Sequence, residues 1–467
     1  MTIHNAQTLD QSNDMQAVHG TVDIDIPIDV LWGCFTQANL WPRWNACMFR
    51  VHNRDLIPGQ KLVWAFEPIR RWYLYKLPGI ATLVEVEKQR KVTWEITVLP
   101  GFYARHTYSM EDLGNGRSRF GSWEKATGPT FRALKFFWLA HFVFVKNRSL
   151  QGARLLEAVY QRSGKIDGQT LPRKRWWRFV TNLKAFFGSL EILGMQHKQI
   201  APDVHAVLGG GGNSLVVQDG GEVLVVDPKM PPFAGQLKSW IDHNLHAPVT
   251  AVIDTHHHFD HTFGNTLYPQ ASIVAHKSVP DLMRKRDGDF WQQHPDAIPL
   301  SDNLVHDTLT LKVGGQEVVV NAVGQAHTAG DVWVYLRRGD AEIITTGDIG
   351  TLDHYCFFDT GEGGADPLHW IESVRDLCGR YPKAIFVPGH GPVATADDML
   401  RHADYVEFLC KSVAGSRADG LDESGTVRNI DLTMWNLSLA PIFHYGLWFL
   451  SASTNIRSVY QIQSRKA

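Results

Sequence analysis

The sequence of 467 residues predicts a multidomain α+β protein. The chain is long for one domain, because domains usually contain about 100–200 residues. Its first 160 residues hold strand-like stretches followed by one long helical stretch, whereas residues after 200 alternate short β-branched stretches with helical ones. A polar segment with two glycines and a final proline, residues 163–172, separates the two regions and is typical of a linker.

In the N-terminal region, the pattern predicts an antiparallel sheet. The strand-like stretches are 18–26, 61–66, 80–87, 91–98, 103–110 and 117–125. A short helix fits residues 28–38, and a long amphipathic helix fits residues 129–161. Ten of the chain's 16 tryptophans lie before residue 180, so this region can either fill its core with aromatic rings or line a large apolar cavity with them.

In the second region, residues 255–261 are the most informative segment. They contain a His-x-His-x-Asp-His array and follow residues 249–254, whose apolar, β-branched side chains predict a buried strand. Side chains two apart in an extended chain share a face. His256 and His258 can therefore point at one metal ion while His257 points away.

The remaining candidate ligands lie on turns and loops. Asp260 and His261 fall on a turn into a helix predicted to begin near Thr262. Three more candidates each follow a strand-like run: His327 after 317–324, Asp348 after 341–346 and His390 after 383–387. Five imidazoles and two carboxylates suit a pair of borderline transition metal ions, with two Zn²⁺ as the default and iron or manganese as alternatives.

These residues, in this order, resemble the metallo-β-lactamase superfamily. The resemblance runs from about Val204 to about Phe408 and includes Gly-Gly-Asn213-Ser214, Val225-Val226-Asp227-Pro228, Asp260-His261-Thr-Phe-Gly-Asn265 and Ile273-Val-Ala-His276. It implies a four-layered αβ/βα sandwich with the metals in a shallow cleft. It also implies one ion held by His256, His258 and His327, a second held by Asp260, His261 and His390, and Asp348 as the bridge.

The N-terminal region resembles the START-like, or polyketide-cyclase-like (SRPBCC), helix-grip fold. The likeness lies in Val22-Asp-Ile-Asp-Ile-Pro27, Val30-Leu-Trp32 and Leu40-Trp-Pro-Arg-Trp-Asn45. It implies a curved sheet around a long helix, with an apolar cavity between them. Nothing at fixed spacing in this region predicts catalysis.

Together these patterns predict five segments. We expect a disordered N-terminus at 1–16, a START-like domain at 17–162, a linker and interdomain helix at 163–195, a metallo-β-lactamase-fold domain at 196–415, and a C-terminal helical extension or cap at 416–467. Within the last segment, an apolar helical pattern covers residues 431–450 and a further piece covers residues 455–460.

Composition restricts the partners. A net charge of -2 argues against a dedicated nucleic-acid binder. No stretch predicts a transmembrane helix, and residues 1–14 lack a secretory leader. Five scattered cysteines without a Cys-x-x-Cys pair indicate reduced thiols, so we expect a cytoplasmic protein. The basic, aromatic patch from Arg173 to Arg178 suits either an interdomain helix or peripheral membrane contact. The sequence leaves the oligomeric state open.

The resemblance implies a dinuclear metal hydrolase that uses a metal-bound hydroxide on an ester, lactone or thioester. The substrate would be a bulky apolar small molecule, polyketide-like or lipid, bound by the N-terminal domain. Asp260 and Asp348 are the candidate catalytic carboxylates, and His354 and Tyr355 are candidate cleft residues. Two alternatives stay open: a mononuclear iron oxidoreductase of the persulfide-dioxygenase type, and a ligand-binding or transfer protein with an auxiliary metal domain.

Overall fold

The computed structural model describes residues 16–45, 47–53, 55–66, 77–172, 194–361, 364–442 and 448–465. The chain divides into two compact units. Unit one contains residues 1–182 and 408–436, and unit two contains residues 183–407 and 437–467. The predicted disordered N-terminus, most of the interdomain helix and the Arg173–Arg178 patch lie outside the described residues. The five domain boundaries stay predictions.

Unit one is built on a seven-stranded antiparallel sheet in the order β1-β7-β6-β5-β4-β3-β2. The strands are β1 Gln16–Ile24, β2 Met48–Val51, β3 Lys61–Phe66, β4 Leu77–Glu87, β5 Lys91–Leu99, β6 Phe102–Gly114 and β7 Arg117–Thr127. Its helices are Ile28–Phe35, Trp41–Trp44, Pro129–Ser163 and Glu423–Asn429. The predicted strands and the long helix are therefore present, with ends shifted by a few residues.

The long helix Pro129–Ser163 packs on one face of this sheet, against β1, β6 and β7. The inner face is apolar because alternate residues of each strand point the same way. Phe102 and Ala104 of β6 pack with Phe131 and Phe142 of the helix. The helix has a proline in its first turn and ends at Gly164, which adopts the left-handed conformation that glycine tolerates best.

Unit two contains two larger sheets and a short hairpin. The first has the order β14-β13-β12-β11-β10-β9-β8, and the second has the order β15-β16-β17-β18-β19. The strands are β8 Met195–Ala201, β9 Val204–Gly209, β10 Ser214–Asp219, β11 Glu222–Val226, β12 Val249–Asp254, β13 Ser272–His276, β14 Leu304–Val305, β15 Thr308–Val313, β16 Gln316–Gly324, β17 Asp331–Arg338, β18 Ala341–Thr351, β19 Ile385–His390, β20 Ala440–Ile442 and β21 Trp448–Leu450. Strands β11 to β14 run parallel, as do β18 and β19.

The main core of unit two lies between its two sheets. Leu224 and Ile253 of the first sheet share one buried apolar cluster with Val334 and Ile343 of the second. The other face of the first sheet forms a separate cluster that includes Leu237 from the helix Phe233–Asn244. This packing holds the strand ends rigidly, and the candidate ligands follow those ends. The layer count and the helix-grip detail stay predictions.

The other helices of unit two are Phe259–Thr262, Val279–Arg286, Gly288–Gln293, Pro367–Arg380 and Ala452–Arg465, together with the first part of Ala396–Ala418. That last helix continues into unit one. Among the described residues, no helix combines the length and the apolar character needed to cross a bilayer. The five cysteines are buried and form no disulfide.

Two local predictions were wrong. The helix expected near Thr262 begins earlier, at Phe259, and gives way after one turn to the 3₁₀ segment Phe263–Leu267. The helical pattern at 431–450 is not a helix where it is described. A 3₁₀ turn is followed by Asn436 in the left-handed conformation and by the strands β20 and β21. A proline at 441 cannot donate the backbone hydrogen bond that a helix needs there.

Candidate metal centre

Three buried histidine rings meet at one point in unit two. His256 and His258 come directly after β12, and His327 comes from the loop between β16 and β17. His258 Nδ1 lies 3.0 Å from His256 Nε2 and 3.1 Å from His327 Nε2. We name these residues the three-histidine group. Ring nitrogens this close repel through their lone pairs unless a proton or a cation lies between them.

A second set contains Asp260, His261 and His390, which we name the Asp260 group. Asp260 Oδ2 lies 3.4 Å from His390 Nε2 and 3.7 Å from His261 Nε2. Asp260 and His261 lie on the one-turn helix after β12, and His390 is the last residue of β19. The turn therefore directs these two side chains away from the face used by His256 and His258.

Asp348, on β18, faces both groups. Its Oδ2 lies 3.4 Å from His327 Nε2, and its Oδ1 lies 3.3 Å from His261 Nε2 and 3.4 Å from His390 Nε2. Gly389 makes this approach possible, because a Cβ there would collide with Asp348 Oδ1. The structure thus brings all seven predicted ligands together, with one carboxylate oxygen turned to each group.

The residues fit a pair of cations. His261 Nε2 and Asp348 Oδ1 are buried and make no hydrogen bond among the described residues, although each can bind a metal. Four of the seven side chains offer ligand atoms within 4.8 Å of one another in one cluster, and the three of the Asp260 group do so in another. Imidazole nitrogen and carboxylate oxygen are the ligands that Zn²⁺ and similar ions accept.

The electrostatics favour positive charge between the groups. Burial holds the pKa of His256 and of His258 well below the usual value, so both rings are neutral and present lone pairs. Burial also opposes charge on His390, but Asp348 and Asp260 outweigh it and raise its pKa to about 9. The Asp260 group therefore attracts a cation, and two metal ions would satisfy both groups.

Asp227, at the end of β11, supports both groups, and sequence reasoning assigned it no role. Its Oδ2 accepts hydrogen bonds from Thr255 Oγ1 and His261 Nδ1, both at 2.8 Å. The Thr255 hydroxyl in turn lies 3.1 Å from His256 Nδ1. One buried carboxylate thus orients a ring in each group, as is common around metal-binding histidines. The Val-Val-Asp-Pro segment was the available signal.

Asp331 orders the loop that carries His327. It accepts hydrogen bonds from Thr328 Oγ1 at 2.6 Å, Thr328 N at 2.8 Å and Ala326 N at 3.2 Å. Burial raises the pKa of Asp331 to about 7, against the effect of these bonds. Asn213 orders the backbone around His390 in the same way, because its side-chain amide donates hydrogen bonds to the carbonyls of Pro388 and Gly391.

Two further charged side chains stand near the centre. Asp359 Oδ2 lies 3.7 Å from His258 Nε2, which is the nitrogen that points away from the three-histidine group. The same oxygen of Asp359 forms a salt bridge of 2.7 Å with the guanidinium of Arg286. Lys229 is fully buried and donates to the carbonyls of Val207, Gly209 and Gly212. Burial lowers its pKa to about 7, although Asp227 and Asp260 oppose this. Neither role was predicted, because the partners are far apart in sequence.

The predicted cleft residues follow β18 in the chain. His354 and Tyr355 are buried, belong to neither ligand group, and pair with Ser438 through a β-bridge and a backbone hydrogen bond of 3.0 Å. Asn455, on the C-terminal helix, binds the adjacent backbone of Cys356. The C-terminal segment therefore hydrogen-bonds the chain just after β18. A role of His354 and Tyr355 in lining a substrate cleft stays a prediction.

Comparison with known families agrees with this architecture. Residues 207–390 match the family model of the metallo-beta-lactamase superfamily, and residues 15–154 match that of polyketide cyclase / dehydrase and lipid transport. The chain therefore contains a metallo-β-lactamase superfamily domain, of a hydrolase fold family, preceded by a polyketide-cyclase-like (SRPBCC) domain. Both resemblances seen in the sequence are confirmed.

Individual relatives cover only part of the chain. Metallo-beta-lactamase type 2 of Bacteroides fragilis is 24% identical over 209 residues, which are 43% of this chain and 78% of that protein. A metallo-beta-lactamase structure from Pontibacter korlensis is 23% identical with a TM-score of 0.39, covering 46% of this chain and 99% of that one. A double mutant of a sec-alkyl sulfatase is 15% identical with a TM-score of 0.44, covering 57% of this chain and 50% of that one.

Proposed function

We propose that this protein is a dinuclear metal-dependent hydrolase that cleaves an ester, lactone or thioester of a bulky apolar small molecule. The observation that carries the proposal is the position of Asp348, which turns one carboxylate oxygen to each ligand group. A centre with a single ion would leave the second group of ligand atoms, from Asp260, His261 and His390, without a metal to bind. The proposal includes a cytoplasmic location and binding of an apolar ligand by unit one.

In this proposal the three-histidine group would hold one divalent ion, the Asp260 group would hold the other, and Asp348 faces both groups. Two such ions, Zn²⁺ by default, would supply water activation near neutral pH and polarisation of the scissile carbonyl. The protein's own contribution is to fix the donors: Asp227 orients His261 directly and His256 through Thr255. Rigid support of this kind preserves the geometry that hydrolysis needs.

Proton transfer is assigned to Asp260. Its side chain is 14% exposed, against 7% for Asp348, so it is the carboxylate with better access to solvent. Its Oδ2 also lies within reach of His390 Nε2. Asp260 can therefore take a proton during attack and return it to the leaving group. Neighbouring histidines outweigh burial at both carboxylates: His261 and His390 lower the pKa of Asp260, and His390, His261 and His327 hold the pKa of Asp348 well below its usual value.

The test is a substrate panel with metal analysis of the same purified protein. Lactones, esters, thioesters and β-lactams are assayed beside the metal content per chain. We expect two equivalents of metal and turnover of at least one of the first three classes. One iron per chain with oxygen uptake would instead identify an oxidoreductase, and two metals with activity on β-lactams alone would overturn the proposed substrate class.

A further inference from the structure

Unit one contains a buried polar pair, His106 and Glu124, that the metal centre does not use. The two residues are direct partners across β6 and β7, and both lie on the inner face of the sheet. His106 Nδ1 forms a hydrogen bond with Glu124 Oε2. An imidazole paired with a carboxyl group is unusual in an interior built from aromatic and aliphatic side chains, because burying polar groups costs free energy unless they are hydrogen-bonded.

Aromatic rings surround the pair. The His106 ring stacks on Trp94, with centroids 4.6 Å apart, and meets the edge of Tyr108 at 4.5 Å. Trp94 in turn contacts Trp41 at 5.8 Å and Trp64 at 6.1 Å. An aromatic ligand suits these surroundings, because offset or edge contacts between rings are favourable.

The second nitrogen of His106 is the key observation. Nε2 is buried and has no hydrogen-bond partner within the described ranges, and the whole residue is 3% exposed. The polar groups beside it are satisfied: Tyr108 Oη bonds Ser149 Oγ at 2.8 Å and accepts from Asn45 Nδ2 at 2.9 Å. Since a buried polar atom without a partner destabilises the fold, this one nitrogen is available for a ligand.

The pair fixes which nitrogen of His106 faces a ligand. Nδ1 is hydrogen-bonded to Glu124 Oε2, so Nε2 is the nitrogen that remains. A hydroxyl group can either donate a hydrogen bond to an imidazole nitrogen or accept one from it, so a ligand hydroxyl matches Nε2 in any protonation state of the ring. We propose that the inner face of unit one binds an aromatic compound with a hydroxyl group, which forms a hydrogen bond with His106 Nε2 while its ring contacts Trp94. This inference rests on the proposed binding of an apolar ligand by unit one and adds the polar group that selects it.

The experiment compares 2-naphthol with naphthalene, which has the same ring system without the hydroxyl. Binding to the full-length protein is measured by equilibrium dialysis with chromatographic quantification. We expect 2-naphthol to bind about tenfold more tightly, as one hydrogen bond to a buried histidine would give. A site that hydrogen-bonds a ligand hydroxyl discriminates strongly against the analogue that lacks it.

The matched variant replaces both partners, His106→Phe with Glu124→Leu. Replacing His106 alone would leave a buried carboxylate without its partner and could unfold the domain, whereas apolar replacement of a whole buried pair is often tolerated or stabilising. In this double variant we expect the preference for 2-naphthol to fall to about one, with naphthalene affinity within about twofold of the wild type. Its thermal unfolding should occur at the same or a higher temperature.

His19→Phe is the control. The ring of His19 also stacks on a tryptophan, Trp123, at 4.4 Å, but on the other face of the same sheet. This variant should keep the full preference for 2-naphthol. Equal binding of both compounds by the wild type, or an unchanged preference in the double variant, would overturn the hydroxyl site while leaving apolar binding intact. Binding of neither compound would overturn both proposals.

Discussion

The two nitrogens of His258 face different surroundings. Nδ1 points into the three-histidine group, while Nε2 points towards Asp359, which Arg286 holds in place. The ring therefore lies between the other two histidines and the Asp359 carboxylate before any ion binds, although its Nε2 makes no hydrogen bond among the described residues. Such preparation lowers the entropy lost on metal binding, and it explains why a histidine that is buried and neutral is useful here.

Replacing His258 with alanine removes one of three nitrogens from the three-histidine group. We expect the metal content to fall from two ions towards one and hydrolysis to drop by more than about a hundredfold, since even indirect support of a ligand is worth 10–100-fold. Elemental analysis and initial rates check this. His306→Ala changes an exposed histidine of the same unit and should alter neither. Full turnover by the His258 variant would contradict the assigned site.

Asp227→Asn tests the shared support of both groups. The amide keeps the shape of the side chain but loses the charge that holds Thr255 and His261. We expect the affinity for both ions to weaken by about 10–100-fold, measured by competition with a fluorescent chelator. Asp242→Asn, on the exposed surface of the helix Phe233–Asn244, is the matched control. Weakening of only one ion would show that the link through Thr255 to His256 has no effect.

At this scale the sequence predicted the ligands but not their supports. His256, His258 and Asp260 share a short segment after one strand, so local spacing was enough to bring them together. Asp227 and Asp359 reach the same centre from positions about 30 and 100 residues away, which only the folded sheets define. Buried carboxylates at strand ends could be flagged in advance, but their partners could not.

At the level of elements, the C-terminal helix Ala452–Arg465 has an unexpected role. Asn455 is buried and binds three groups: the carbonyl of Cys356 at 2.6 Å, its amide at 3.2 Å and the hydroxyl of Tyr405 at 2.6 Å. Together with Ser438, it fastens the segment that follows the strand of Asp348. The end of the chain thus stabilises the stretch next to the metal centre.

Asn455→Ala should destabilise unit two. The substitution removes three hydrogen bonds to buried groups, namely the amide and carbonyl of Cys356 and the hydroxyl of Tyr405, so we expect a loss of about 3 kcal/mol in the free energy of unfolding. Urea unfolding followed by circular dichroism measures it. Ser464→Ala, near the exposed end of the same helix, should cost under about 0.5 kcal/mol. Equal stability of the two variants would refute this role for the helix.

Element boundaries were predicted best for two short strands rich in apolar and β-branched residues. The strands Lys61–Phe66 and Val249–Asp254 agree to the residue with the sequence pattern. The helix predicted at 431–450 was wrong for a physical reason. The spacing of the apolar residues there fits both a helix and a strand, and the left-handed conformation of Asn436 ends the 3₁₀ turn before a helix can form. Short apolar runs beside a proline do not define a helix by periodicity alone.

For the whole molecule, metal binding and stability are linked. An ion that binds the folded chain and not the unfolded one stabilises it by about 2.7 kcal/mol when its concentration is a hundred times the dissociation constant. Removing the ions with a chelator should therefore lower the melting temperature by at least about 5 °C, measured by calorimetry, and added Zn²⁺ should restore it. Asp348→Asn, which weakens both sites, should respond far less to the chelator. An identical response of the two proteins would disprove the link.

Unit one is discontinuous along the chain. The buried carboxylate of Glu157 is paired with Lys411, and Arg148 and Gln151 donate to the carbonyl of Asn429. During synthesis, the ribosome must therefore translate the whole intervening metallo-β-lactamase-fold region before these groups meet their partners. Glu157 and Lys411 are 254 residues apart, so the nascent N-terminal part stays incomplete over that length, and a gene cut at the linker would yield a fragment that lacks part of its own interior.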